Sequence, residues 1–442
     1  MSTEIEPHIV RKYEIQTQLG KGAYGIVWRA QDRRTKQVVA LKKIYDAFQN
    51  GTDAQRTFRE VMFLQALKHP NIIKLLNVHR ATNDKDIYLV FEYMETDLHA
   101  VIRANILENI HKQYLIYQLL KTLKYLHSAE LLHRDMKPSN LLVNSDCSMK
   151  VADFGLARSI LSLEREQVTR PVLTDYIATR WYRPPEILLG STRYTKGVDM
   201  WSVGCILGEL ALGRPIFPGK STTHQLELII AVVGQPTPQD IAATNSRYAE
   251  TMLSQLRRPV PKSWAELLPK ASAGALDLIQ RLMCFNPNNR MTAEQALEHP
   301  YVAAFHKVRD EPSAASPITI SLPDDTRFTL EEYREKLYQE IASNKKRIKI
   351  RELRASALPA PTPQTTTSTR PPAASSTTQT TTAQSKAATK PVSRVVTASA
   401  PRLSGTASGH VTRSTVNARP AGVSSSSIGH THNSGLMRPG RE

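Results

Sequence analysis

The spacing of apolar residues changes near residue 94, and that change most restricts what the chain can fold into. Across residues 13–44 apolar and polar positions alternate in Tyr13-Glu14-Ile15, Ile26-Val27-Trp28 and Val38-Val39-Ala40-Leu41, with turn chemistry between them. This pattern predicts an antiparallel meander. A helix is predicted over 54–69 and further strands over 74–80 and 87–91. From Leu98 onward the period is mostly that of a helix: Leu115, Leu119, Leu123 and Leu126 recur on one face. The expectation is a small β-rich lobe followed by a larger helical one, with a ligand site between them.

The 442 residues suffice for a core without staples. Cys147, Cys205 and Cys284 are far apart and have no metal-ligand spacing, as in a reduced, intracellular protein. No apolar run reaches the roughly 18 residues of a membrane span, and residues 1–10 hold Glu4 and Glu6 but no apolar stretch. The chain reads as soluble, without a leader. Of the net charge of +18, half lies in residues 351–442, where 11 Lys and Arg face 2 acids. Residues 355–442 are Thr, Ser, Ala and Pro with scattered Arg, and Tyr338 is the last aromatic residue. Such a segment is expected to be disordered. Its charge suits acidic partners such as a tubulin-like cytoskeletal surface, nucleic acid or anionic lipid, without sequence-specific nucleic acid readout. A merely solubilising tail is the other reading.

Several short stretches carry chemistry. Gly20-Lys21-Gly22-Ala23-Tyr24-Gly25-Ile26-Val27 spans the first turn of the meander, where missing Cβ atoms let backbone close over a phosphate. A strand, not a helix, follows these glycines, which excludes a dinucleotide fold. Lys42 lies in an apolar strand and needs a partner, and Glu60, on the apolar face of helix 54–69, is the candidate. The loop His133-Arg134-Asp135-Met136-Lys137-Pro138-Ser139-Asn140 sits between a helix and the strand Leu141-Leu142-Val143, a position typical of catalytic groups. The strand Met149-Lys150-Val151 leads to Asp153-Phe154-Gly155, and Asp153 and Asn140 are hard oxygen donors suited to Mg²⁺ with phosphate. Residues 156–183 lack a strong period and predict a mobile loop containing Thr174-Asp175-Tyr176. Residues 199–212 predict a buried helix capped by Asp199. The run 275–284 leads to Asn286-Pro287-Asn288-Asn289-Arg290, and 327–350 hold a last helix that packs back on a lobe through Leu330, Tyr333, Leu337, Tyr338 and Ile341. Its end, Lys345-Lys346-Arg347-Ile348-Lys349, is a nuclear-import or cytoskeletal patch or simply a solvated helix end.

In their order and intervals, the Gly-rich loop, Lys42, Glu60, residues 133–140, Asp153-Phe154-Gly155 and Pro184-Pro185-Glu186 resemble the eukaryotic protein kinases. The resemblance implies an α+β, two-lobed fold: a small antiparallel β-rich lobe with one regulatory helix, and a large mostly α-helical lobe. Its boundaries would be an N-terminal extension at 1–12, a kinase domain at 13–304 divided at 93/94, an extension packing on it at 305–354, and a tail at 355–442. Thr174-Asp175-Tyr176, Ala178-Thr179-Arg180-Trp181-Tyr182-Arg183, Met94-Glu95-Thr96-Asp97-Leu98 and Gly213-Arg214-Pro215-Ile216-Phe217-Pro218-Gly219 resemble the mitogen-activated protein kinases. Gln225-Leu226-Glu227-Leu228-Ile229, the Phe328–Ile341 extension and the long basic tail resemble the atypical, long-tailed branch of that family.

The resemblance also implies substrates and a role for each site residue. The substrates are ATP, with Mg²⁺, and Ser or Thr on proteins, with a preference for a following Pro. By the same resemblance, Asp135 accepts the hydroxyl proton and Lys137 neutralises the transferred phosphoryl. Lys42, held by Glu60, orients phosphates, and Asn140 and Asp153 hold the metal. Leu19, Gly20, Lys21, Gly22, Ala23, Tyr24, Gly25, Val27, Ala40, Phe91 and Met94 enclose the nucleotide, with Phe91 as gatekeeper. Phosphorylated Thr174 is read by Arg59, Arg134 and Arg158, and phosphorylated Tyr176 by Arg180 and Arg183, which activates the enzyme. The activator is either an upstream kinase or the protein itself. Asp175 stands where the branch usually has Glu, Pro184 where the family usually has Ala, and Lys307 where the acidic docking patch would have an acid, leaving Asp310-Glu311. Thr362-Pro363 and Ser316-Pro317 are candidate self-sites. The implied location is cytoplasmic, with the nucleus or the cytoskeleton and cilium as further sites. The rival reading is a pseudokinase or scaffold acting through its tail, although no group needed for transfer is missing.

Overall fold

The computed structural model describes residues 4–22, 25–163, 179–257, 259–323, 326 and 328–356, with backbone alone at 348–349 and 351–356. The expectations for Ala23, Tyr24, Thr174, Tyr176, Thr362 and the tail from 357 lie outside the described residues.

Alternation in the first segment produces β1 (Tyr13–Gly22), β2 (Gly25–Asp32) and β3 (Val38–Ile44), paired antiparallel in sequence order. Two register shifts between β1 and β2, at Ile15/Thr17 and Gln18/Gly20, bulge the strand that leads into the glycine turn. The remaining strands, β4 (Leu75–Arg80) and β5 (Ile87–Glu92), do not extend the meander: the order is β1-β2-β3-β5-β4. The cause is legible in β5, whose Ile87, Tyr88, Leu89, Val90 and Phe91 are all buried. A strand apolar on both faces is stable only inside the sheet, and the more polar β4 takes the edge. Behind the sheet, helix α1 (Pro7–Val10) buries Ile9 against Tyr13, Val39, Leu41, Tyr88 and Val90.

Helix α2 (Gly51–Ala66) crosses the other face. Asn50 caps it by accepting from the Thr52 and Asp53 backbone N–H groups, and Phe58, Val61, Met62 and Leu64 are buried. Helices α3 (Leu98–Ala104) and α4 (Asn109–Ser128) open the larger lobe, with Leu115, Leu119, Leu123 and Leu126 all buried. The short strands β7 (Leu131–Leu132), β8 (Leu141–Val143), β9 (Met149–Val151) and β10 (Arg158–Ser159) lie in that lobe, and β6 (Thr96–Asp97) pairs with β8. β10 pairs with β7, so the start of the segment expected to be a loop is held by backbone hydrogen bonds.

At the centre of this lobe, helix Gly197–Leu212 is buried nearly all round. Gly204 lets it approach its neighbour, because a Cβ there would lie 2.4 Å from Met283. The Pro184-Pro185-Glu186 and Asn286–Arg290 stretches meet beside it. Arg290 Nη1 and Nη2 each donate to Glu186 carboxylate oxygens at 2.7 Å, and Arg290 also donates to the carbonyls of Gly197, Cys284 and Phe285. Its guanidinium lies 5.1 Å from the centre of the Trp201 ring.

The last helix, Leu330–Ser356, runs past the expected end and packs on the small lobe. Tyr333 meets Phe58 at 5.7 Å, and Tyr338 lies between Phe48 and the Arg80 guanidinium. The chain reaches it by crossing the larger lobe, where the Ala314 N–H donates to Ser128 Oγ and the Ile318 N–H to the Ala129 carbonyl. No helix among the described residues is long and apolar enough to cross a membrane.

Two buried histidines give the fold a pH dependence. His69 stacks on Tyr125 at 5.1 Å, and burial, with Lys121 and Lys150 nearby, pushes it down to about 3. His79 sits between the Tyr13 hydroxyl and Lys12 Nζ, and burial, with Lys12 and Lys345, pushes it down to about 4. Both are neutral in the fold, whereas the unfolded chain takes up their protons near pH 6.5, so stability is full above 6.5 and falls below it. Between pH 7 and 5 each should cost about 2 kcal/mol. Urea unfolding at pH 5, 6 and 7 checks this: His79→Gln should flatten the slope by about half, and a flat wild-type profile would contradict it. Separately, Arg290→Met strands the buried Glu186 carboxylate and should cost about 3–5 kcal/mol in the same assay.

Candidate functional site

The loop after β7 is fixed from below. The Asp199 carboxylate accepts from the His133 N–H at 3.0 Å, the Arg134 N–H at 2.8 Å and His127 Nε2 at 3.1 Å. This corrects the capping role expected of Asp199: it lies inside the first turn of its helix and faces the loop. Burial works to raise its carboxyl, but these hydrogen bonds and the His127 charge outweigh burial and hold it below the usual range. The anchored backbone places Arg134 at φ +66°, a left-handed turn. His133 Nε2 donates to the Ala152 carbonyl at 3.1 Å while its Nδ1 accepts from the Asp135 N–H.

Asp135 therefore heads a rigid turn. Lys137 Nζ donates to its carboxylate at 2.7 Å, and Asn140 Nδ2 donates to its carbonyl at 2.8 Å and its carboxylate at 3.2 Å. With the amide nitrogen used inward, the Asn140 oxygen is left as an acceptor without a hydrogen bond among the described residues. The β8–β9 hairpin then returns the chain beside it, with the Ala152 N–H donating to the Asn140 carbonyl, and delivers Asp153 at φ +63°.

Lys42 and Glu60 are 2.8 Å apart, from β3 and α2. Burial opposes the Lys42 charge, but Glu60 and Asp153 overcome it and raise its pKa. Burial likewise pushes the Asp153 carboxyl up, while Lys42, Arg56 and Lys137 pull it down to about 2. Strand alternation separates Lys42 from its neighbour Lys43, which is turned to the other face and pairs with Asp86 at 3.2 Å.

The glycine turn closes where Gly22 faces Gly25 across the strands. A Cβ on Gly25 would lie 2.2 Å from the Lys43 carbonyl oxygen, so only glycine lets β2 and β3 approach there. Gly20 and Gly22 have no atom within 4 Å of where a Cβ would be, and Leu19 and Lys21 are exposed beside them. Across the sheet, Val27 is opposite Lys42, and Ala40 is opposite the buried Phe91, with buried Met94 two residues beyond β5.

Of the expected phosphate-reading arginines, Arg158 is opposite Leu132 in the β7–β10 pair, two residues before Arg134. Arg134 stacks at 4.1 Å on Tyr194 and donates to the Leu156 carbonyl. Arg134, Asp135, Thr179, Arg183 and Tyr194 line one cavity. Arg180 opens the one-turn helix Arg180–Tyr182 just before Arg183, and Arg59 is buried in α2. Glu311, expected to belong to an acidic docking patch, is turned inward, accepting from Lys124, His306 and the Lys307 N–H.

Sequence reading missed Arg56, whose Nη2 lies 3.3 Å from Asp153 Oδ2. Its spacing of four from Glu60 on one helix was the available signal. It also missed the buried Tyr182–Glu209 hydrogen bond of 2.6 Å, which ties the segment before Pro184 to the central helix.

Residues 13–302 match the protein kinase domain. Extracellular signal-regulated kinase 2 of Dictyostelium discoideum is 63% identical over 346 residues, which cover 78% of this chain and 94% of that protein. Mitogen-activated protein kinase 15 of Xenopus laevis is 56% identical over 78% of this chain and 59% of its own length, and its counterpart in Caenorhabditis elegans is 51% identical over 80% and 77%. The chain belongs to the protein kinase family and, within it, to the mitogen-activated serine/threonine kinases.

Proposed function

We propose that this kinase transfers the γ-phosphoryl of ATP to Ser or Thr, preferentially before Pro, using the groups assembled around Asp135. One observation carries the reading: Lys42 from the sheet, Glu60 from α2 and Asp153 from beyond β9 form one charge cluster, in which Lys42 is driven further towards its cation and Asp153 towards its anion. Such a cluster is what polyphosphate binding needs, since transfer depends on positioning and charge neutralisation.

In this mechanism Asp135 receives the proton of the substrate hydroxyl as its oxygen bonds to the γ-phosphorus and ADP leaves. Lys137, already on the Asp135 carboxylate, offers its charge to the phosphoryl oxygens. Lys42, steadied by Glu60, orients the inner phosphates, and Gly20, Gly22 and Gly25 let backbone cover them. Leu19, Lys21, Val27, Ala40, Phe91 and Met94, with Ala23 and Tyr24, enclose the rest of the nucleotide. The donors fit Mg²⁺: a carboxylate held ionised and an amide oxygen kept free are hard ligands that leave room for phosphate and water. Asn140 and Asp153 would hold that ion, which when bound neutralises phosphate charge.

Activation follows from the arginines. Phosphate on Thr174 would recruit Arg59, Arg134 and Arg158, from α2, the catalytic loop and β10, and phosphate on Tyr176 would recruit Arg180 and Arg183. Self-phosphorylation and an upstream kinase both satisfy this arrangement. With Glu311 engaged internally, basic docking peptides should bind weakly. The basic residues beyond 357 serve as a tether to acidic surfaces in the cytoplasm, with the nucleus, cytoskeleton and cilium as further locations.

Asp135→Ala should lower kcat by about 10²–10⁴-fold with nucleotide binding retained, measured as labelled phosphate transferred to a generic basic protein. Wild-type turnover in that variant would refute the assignment. Thr174→Ala and Tyr176→Phe should each reduce turnover at least tenfold, as a single bidentate contact of about 1.4 kcal/mol requires. Full activity in both would remove the switch.

A further inference from the structure

Arg56 makes a contact that the proposed chemistry does not use. It stands four residues before Glu60 on α2, so both side chains leave one face of the helix. Its Nη2 lies 3.3 Å from Asp153 Oδ2 and 3.5 Å from Oδ1. The third hydrogen bond to this carboxylate comes from the Gly155 N–H at 3.3 Å. The stem of Arg56 crosses Gly155 so closely that a Cβ there would be 2.7 Å from Arg56 Cγ and Nε. Gly155 thus leaves the space the guanidinium needs. Both members of the pair are largely shielded, with side chains 21% and 27% exposed.

A guanidinium and a divalent cation compete for the same oxygens. We infer that Arg56 is a positioning residue that occupies the Asp153 carboxylate until a divalent cation displaces it, so that α2 sets the cation affinity of the site. This rests on the proposed role of Asp153 as a metal ligand. α2 then carries two opposed charges one turn apart: Glu60 draws Lys42 into place, and Arg56 withholds Asp153 from the metal.

The experiment measures Mn²⁺ binding by electron paramagnetic resonance, at saturating non-hydrolysable ATP analogue, in full-length wild type, Arg56→Ala, Arg56→Gln, Arg56→Lys and Asp153→Asn. Removing the competing cation should tighten Mn²⁺ about three- to tenfold in Arg56→Ala and Arg56→Gln. Arg56→Lys, which keeps the charge, should stay closer to wild type than the neutral variants, within about twofold. The Mg²⁺ concentration giving half-maximal transfer should fall by the same factor, with KM for the protein substrate unchanged. Arg56→Gln keeps the bulk over Gly155 and serves if the alanine variant does not fold. Unchanged or weaker Mn²⁺ affinity in the neutral variants overturns the inference, as does Arg56→Lys behaving like Arg56→Ala. If Asp153→Asn alone loses Mn²⁺, the reading of Asp153 stands while that of Arg56 falls. If Asp153→Asn binds Mn²⁺ normally, the role of Asp153 itself is wrong.

Discussion

The buried Asp199 carboxylate is the interaction on which the rest of the site depends. A charge in so dry a place is tolerated because two backbone N–H groups and an imidazole satisfy it, and these partners belong to the loop and to α4. Its oxygens hold the loop backbone in the left-handed turn at Arg134, from which Asp135 and Asn140 follow in fixed relation. The central helix is apolar on almost every side and makes the deepest part of the larger lobe. The geometry of the site is therefore referred to a buried helix rather than to a surface loop.

Charge is distributed in the same economical manner among Lys42, Glu60, Arg56, Lys137 and Asp153. Against burial, Glu60 and Asp153 favour the Lys42 cation, and Lys42, Arg56 and Lys137 favour the Asp153 anion. No member has one partner only, so moving α2 changes several balances together. The residues on either side of Pro184 are joined to the core of the larger lobe, by Tyr182 on Glu209 before it and by Glu186 on Arg290 after it. Both attachments are buried, so the residues around Pro184 are tied to the core even though Tyr182 lines the same cavity as Asp135.

Much of this is legible in the amino-acid sequence. Lys42 and Glu60 stand out because a charge among apolar residues has to be matched, and the match is found at 2.8 Å. The 133–140 loop stands out because its charges are clamped between two apolar runs. Asp199 misleads: a carboxylate near a helix start usually caps it, and periodicity does not say that a distant loop competes for its oxygens. The place of β5 inside the sheet is implicit in its unbroken apolar run, but strand order depends on which edge tolerates water, and that is a property of both strands together. Arg56 is hard to pick out because an arginine four residues before a glutamate on a helix is commonplace until Asp153 is placed beside it.

The position of helix Leu330–Ser356 bears on how the protein is made. Tyr333 packs on Phe58, and Leu337 and Ile341 join the same apolar core, yet they emerge from the ribosome about 280 residues after Phe58. Domains tend to acquire structure as they are synthesised, from the N-terminus onward. The small lobe is thus translated first and finished last, with one face of α2 uncovered while the larger lobe is built. A nascent chain in that state presents an apolar surface suited to chaperone capture, and its maturation waits on residues that lie beyond the catalytic core.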